Sequence, residues 1–234
     1  MKTEFRVPKS KYSFVPKEKP AGLWRSPTAW VLLLLIILIV IFRLLAAKEV
    51  VAAAEYTQDG ISYRAAIEGR AAVKYWRGSD FLEGRSLAQP VVLGQEIAIY
   101  ERPAAGGRWQ EKKRYAFAGV GPWCIAMGQM DERKDIEVFI GAYRATRYFP
   151  EGPRPYFFTW DMEQQKLLRL WSGSYLDAPV FTAAAFEDMD GDGRQELKLD
   201  ERQWLGETEY HYITYYTYWR SNFQPVKLKR EVIE

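Results

Sequence analysis

The residues of this 234-residue chain best suited to chemistry are three aspartates at alternate positions in the segment Asp188 to Leu197, which reads DMDGDGRQEL. Carboxylates so spaced converge when the chain turns sharply, and glycine at the sixth place, Gly193, permits the turn. The pattern predicts a loop folded around one hard cation, with Asp188, Asp190 and Asp192 as side-chain ligands, the Arg194 carbonyl as a further oxygen, and Glu196 at the ninth position. Other chemistry is sparse. A single cysteine, Cys124, and a single histidine, His211, exclude an intrachain disulfide, a zinc site of the Cys/His type and a histidine cluster. His211 lies in YHYITYYTYW, a run where histidine packs or sits at an edge more often than it acts as a base. Asp177, Glu187, Asp200 and Glu201 are available for glycoside hydrolysis, but their spacing marks no pair. A phosphate loop is absent too, since Gly119-Val120-Gly121-Pro122 has proline where a helix should begin. Cys124, inside WCIAM, reads as a small core residue.

The elements that must hold the acidic loop are strands. Beyond residue 60 the helical period is missing, and short alternating or aromatic runs replace it: Ala72–Trp76, Glu96–Tyr100, Arg114–Ala118, Trp123–Met127, Ile136–Tyr143, Tyr156–Trp160, Leu167–Trp171, Val180–Phe186, Glu196–Leu199, Tyr210–Trp219 and Pro225–Lys229. Turn chemistry such as Ala105-Gly106-Gly107 and Gly191-Asp192-Gly193 separates them, which predicts an all-β domain. Residues 156–171 read as one hairpin, with Tyr156, Phe158 and Trp160 on one face and a turn at Glu163-Gln164-Gln165. The aromatic side of Tyr210–Trp219 that is not in the core would, if exposed, offer rings to a sugar or a partner protein.

The acidic segment is not an EF-hand, because Leu199 stands where that loop needs a bidentate glutamate and the flanks read as strands. The pattern D-x-D-G-D-G-x-x-E-L between strands resembles the loop of FG-GAP/VCBS repeats, the blade units of integrin-like β-propellers. That resemblance implies a calcium ion bracing a turn between neighbouring strands, and blades that form a propeller or a curved β-sandwich. A repeat leaves a second trace: Gln129 to Val138 (QMDERKDIEV) aligns without gaps at an offset of 59 residues, placing Asp131 on Asp190 and Glu137 on Glu196. With Arg133 and Lys134 in place of Asp192 and Gly193, this copy is expected to keep the strand and lose the ion. A weaker echo links Trp76-Arg77-Gly78-Ser79 with Trp171-Ser172-Gly173-Ser174.

Ahead of the domain, Trp30 to Phe42 reads WVLLLLIILIVIF without a charge, and continues past Arg43 to Ala47, close to the length that spans a bilayer. The first 29 residues hold seven basic groups against two acidic ones, and Arg43 and Lys48 add two more, so residues 49–234 carry −4 of the total of +3. The basic balance belongs to the tail, which removes the argument for nucleic acid and places the tail in the cytoplasm. Residues 1–29 are expected to be a disordered cytoplasmic tail, 30–47 a transmembrane helix, 48–59 a helical stalk or linker, and 60–234 the extracytoplasmic β-domain. A cleaved signal peptide is the rival, with Ala52-Ala53-Ala54 as its site. The expected function is a single-pass cell-membrane protein presenting a binding or scaffold module to a protein or polysaccharide ligand outside. The alternative is a surface hydrolase acting on wall polysaccharide through carboxylates.

Overall fold

A computed structural model of the chain describes residues 27–45, 49–77, 86–147, 151–173, 176–178, 180–206, 208–219 and 224–233. The expected disordered tail lies almost wholly outside them. The chain divides into two units, Met1–Ala47 and Lys48–Glu234. The first contains α1 (Pro27–Leu45), a helix of 19 residues whose Val31, Leu32, Leu34 and Leu38 are exposed. Among the described residues no helix is long and apolar enough to cross a membrane, and the described side chains of α1 end at Leu38.

The second unit is built of twelve strands: β1 (Val50–Gln58), β2 (Ile61–Arg77), β3 (Ser86–Pro103), β4 (Gln110–Ala116), β5 (Pro122–Gly128), β6 (Ile136–Arg144), β7 (Gly152–Asp161), β8 (Lys166–Ser172), β9 (Val180–Glu187), β10 (Glu196–Leu205), β11 (Thr208–Trp219) and β12 (Gln224–Ile233). They form three four-stranded antiparallel sheets, each of four consecutive strands in chain order. All the runs read as strands coincide with or overlap β2–β12, and the all-β expectation holds.

The stretch expected as a helical stalk is instead β1, so the β-unit begins at Lys48 and not at residue 60. Alanine favours helix by propensity alone, but here pairing decides. β1 runs antiparallel to β2 from Val50 opposite Glu68 to Gln58 opposite Ile61. Asp59 and Gly60 close that hairpin at φ 50° and 75°, the left-handed geometry of a two-residue primed turn.

The sheets pack face on face, with the second in the middle. From β6, Ile136, Val138 and Ile140 join Phe158 and Trp160 of β7 against Tyr63, Ala65, Ile67, Ile97 and Ile99 of the first sheet. The alternate residues Phe139 and Phe157 meet Phe181, Leu197, Leu199 and Tyr216 of the third. β6 and β7 are therefore apolar on both parities, as a sheet buried on both faces requires. The hairpin of residues 156–171 has Tyr156, Phe158 and Trp160 on one face as expected, with its turn reversed at Gln165, φ 49°.

On β11 the tyrosines are mostly interior: Tyr212, Tyr215 and Tyr216 are buried, so these rings do not form the open aromatic face considered from the sequence. Of the weaker echo, Gly78, Ser79 and Ser174 lie outside the described residues; Trp76 lies on the second strand of its sheet and Trp171 on the fourth of its own.

Candidate metal site

The loop from Asp188 to Gln195 joins β9 to β10, and its shape is set by aspartates that accept backbone N–H bonds within the loop. Asp188 takes Gly191 N at 2.6 Å on Oδ1 and Gly193 N at 3.0 Å on Oδ2. Asp190 accepts from Asp192 N at 3.2 Å. Gly191 and Gly193 stand at φ 76° and 87°, where any other L residue is strained. At the start of β10, Glu196 Oε2 accepts Met189 N at 3.0 Å, fastening the loop to the strand.

This folding brings one carboxylate oxygen each from Asp188, Asp190 and Glu196 within 4.8 Å of one another, with Glu196 buried and the aspartates exposed. Three of the five expected ligands thus converge. Asp192 lies outside the cluster: its Oδ1 accepts Arg194 N at 2.8 Å and its Oδ2 sits 3.9 Å from Arg194 Nε. The Arg194 side chain also pairs with Glu132 in the loop between β5 and β6. An all-oxygen anionic donor set on a glycine-rich turn suits a hard cation, with the remaining places open to water or backbone carbonyls.

The shorter loop of the second sheet, between β5 and β6, repeats the construction. Met130 N donates to Glu137 Oε2 at 3.0 Å, the same bond 59 residues earlier, and Arg133 N donates to Asp131 Oδ1 at 2.7 Å as Asp192 N does to Asp190. Gln129 stands in the place of Asp188 and Arg133 in that of Asp192, and Arg133 Nε pairs with Asp131 at 3.4 Å. The aligned segments therefore share a strand and a loop fastening, while one keeps an acidic cluster and the other does not.

The two loops also touch, which sequence reading missed. Gln195 N donates to Gln129 O at 2.8 Å and Gln129 N donates to Gln195 Oε1 at 3.1 Å, so the acidic loop is pinned to the second sheet. Gly128 makes room for this seam, since a Cβ there would stand 2.4 Å from Phe186. A signal was present: Gln195 occupies the repeat position that Ile136 fills in the other copy, and a polar residue at an apolar repeat position points to a contact specific to one repeat.

The carboxylates considered for hydrolysis are committed elsewhere. Glu187 pairs with Lys198 at 2.7 Å. Asp200 Oδ1 accepts from Thr182 Oγ1 at 2.8 Å and lies 2.6 Å from His211 Nε2, so the nearby hydroxyl is bonded to the acid and not to the imidazole. Asp177 and Glu201 share Arg230, at 2.5 and 3.2 Å. Burial pushes the Cys124 thiol up to about 12, which leaves it protonated and unreactive.

Glu201 is fully buried, holding Tyr216 Oη at 2.9 Å and Ala178 N at 3.3 Å, and burial raises its carboxyl above the ordinary 4.5 despite these partners and Arg230. The folded state therefore binds this proton more tightly than the unfolded chain, so the group adds stability as pH falls from its raised folded value towards 4.5. Glu201→Gln lacks that gain. Melting the parent and the variant in parallel should show the parent gaining on the variant as pH falls through this window. A difference that does not change with pH would contradict the assignment.

Comparison of the chain with models of protein families matches none, and comparison with curated proteins finds no match.

Proposed function

We propose that this chain is a single-pass membrane protein whose C-terminal unit is a calcium-braced, repeat-built binding or scaffold module outside the cell, with propeller-type blades of the FG-GAP/VCBS kind. The observation that carries the reading is the duplicated loop: two hairpins 59 residues apart with the same glutamate-to-backbone bond, one of them lined with carboxylates. Three successive four-stranded antiparallel sheets support blades as the repeating unit. Calcium is the cation favoured by three carboxylates on a glycine-bearing turn free of sulfur and imidazole. The four carboxylates considered for hydrolysis are each held by a neighbour, Glu187 by Lys198, Asp200 by Thr182 and His211, and Asp177 and Glu201 by Arg230, which favours the binding reading over the hydrolase.

Anchoring rests on the uncharged run Trp30–Phe42 inside a 19-residue helix, and orientation on the basic tail before it. A retained anchor also agrees with β1, because cleavage at Ala52-Ala53-Ala54 would cut within a strand paired to β2. Protease added to intact cells is expected to remove the C-terminal unit and spare the tail. Digestion of the tail with protection of the C-terminal unit, or a mature protein beginning near Glu55, would overturn this topology.

A further inference from the structure

Each sheet has two edge strands, and the two edges differ in the same way in all three sheets. The fourth strands carry cations, Lys112, Lys113 and Arg114 on β4, Lys166 and Arg169 on β8, and Lys227, Lys229 and Arg230 on β12, whereas the first strands β1, β5 and β9 contain no lysine or arginine. Cationic side chains on an edge oppose its pairing with a further strand, so the first strands are the unguarded edges. Two of these are short in regular pairing. Bulges at Trp123 and Thr182 leave five paired residues in each, Cys124–Gly128 in β5 and Ala183–Glu187 in β9. Beyond its own irregularity at Val51, β1 pairs without a break over seven, Ala52–Gln58.

The backbone of β1 shows which groups its edge presents. Gln58 and Ile61 flank the two-residue turn and form a hydrogen-bonded pair, and such pairs alternate along an antiparallel ladder. Tyr56, Ala54 and Ala52 therefore bond to β2, while Thr57, Glu55 and Ala53 turn their N–H and C=O groups away from it. All three of these residues are exposed, and among the described residues no other strand pairs with them. The edge is complementary to itself. Ala54 is the midpoint of Val50–Gln58, so an antiparallel copy centred there overlaps the whole strand. Ala54 then faces its own copy, Ala53 faces Glu55, and Ala52 faces Tyr56, with every outward-bonding residue opposite another. Glu55, the one charge on the strand, meets alanine and stays beside Arg64 and Arg102 of its own sheet, at 4.0 and 3.6 Å. Centring on Glu55 instead would set like charges against each other, which disfavours that register.

We infer that β1 is a docking edge for a second copy of this chain, the two β1 strands pairing antiparallel about Ala54 so that the first sheets of the two copies join into one of eight strands. The contact is isologous and closes on a two-fold axis, which yields a dimer and not a fibre. The test uses the full chain in detergent micelles under a mild oxidant. Ala54→Cys should give a disulfide-linked dimer, because that position faces its own copy at a Cα separation of about 4.5 Å, within the span of a disulfide. Thr57→Cys, exposed on the same edge, should stay unlinked, since it faces Val51 and its two copies lie about 20 Å apart. The native Cys124 is buried in both variants. Linkage of neither position, or of both equally as association through α1 or random collision would produce, overturns the inference. Sedimentation gives a second reading. Ala53→Pro deletes one outward N–H and spares the bonds to β2, so the parent should sediment as a dimer and the folded variant as a monomer. A monomeric parent, or a dimer that survives the proline, overturns the pairing.

Discussion

Phe139→Ala should lower the stability of the β-unit by about 3–5 kcal/mol, the range for removing a fully buried aromatic ring. Phe139 has no exposed surface and stands in β6, one of the two inner strands of the double-faced second sheet. Its ring lies edge-on to Phe157 at 5.3 Å within its own sheet and to Phe181 at 5.5 Å in the third. The substitution deletes the apolar area that joins two sheets and leaves a void among rings that cannot close in, because β6 is also fixed on its other face by Ile136, Val138 and Ile140. The large effect thus follows from the sandwiching of the second sheet. Urea unfolding of the parent and variant, followed by tryptophan fluorescence, measures it, with Val73→Ala at an exposed position of β2 as a control expected to change stability by less than about 0.5 kcal/mol. A loss below about 1 kcal/mol for Phe139→Ala would mean that the second and third sheets do not share a core.

The strands were legible because their signals are local. Alternation and aromatic runs locate Glu196–Leu199 or Ile136–Tyr143 without knowledge of any partner, and the 59-residue offset is visible because both loops use a glutamate to fasten themselves to a strand. β1 was not legible. VVAAAEYTQ carries a helical propensity, and only its pairing with β2 and its packing of Ala52, Ala54 and Tyr56 against the core make it a strand. In the acidic loop the sequence identifies the carboxylates but not their aim: Asp192 follows the ligand spacing, yet its oxygens serve Arg194, which is itself drawn toward Glu132 of the β5–β6 loop. The reach of β2 and β3 past their neighbours was hidden for a similar reason, since strand length is readable but not that β1 pairs with β2 only as far as Glu68 and β4 with β3 only from Glu96.

Calcium is expected to raise the stability of the β-unit through the Asp188 loop. Asp188, Asp190 and Glu196 bring their oxygens within 4.8 Å, with the Asp192 carboxylate in the same loop, so closure without a cation sets like charges against one another. A divalent ion turns that repulsion into attraction, and at about 100 times its dissociation constant linkage adds about 2.7 kcal/mol. Because the loop is pinned to the second sheet through Gln129 and Gln195, ordering it also firms the seam between the second and third sheets. Asp190 is the informative position: besides its place in the cluster it accepts only the Asp192 N–H, whereas Glu196 also fastens Met189 and its removal would loosen the loop with or without an ion. Asp131, its counterpart in the second sheet, pairs with Arg133. The decisive measurement is the melting midpoint of the protein in calcium and in chelator, for the parent, Asp190→Ala and Asp131→Ala. The parent and Asp131→Ala should melt higher in calcium by the same margin and Asp190→Ala should lose most of it; equal midpoints for the parent in calcium and chelator would contradict the calcium brace.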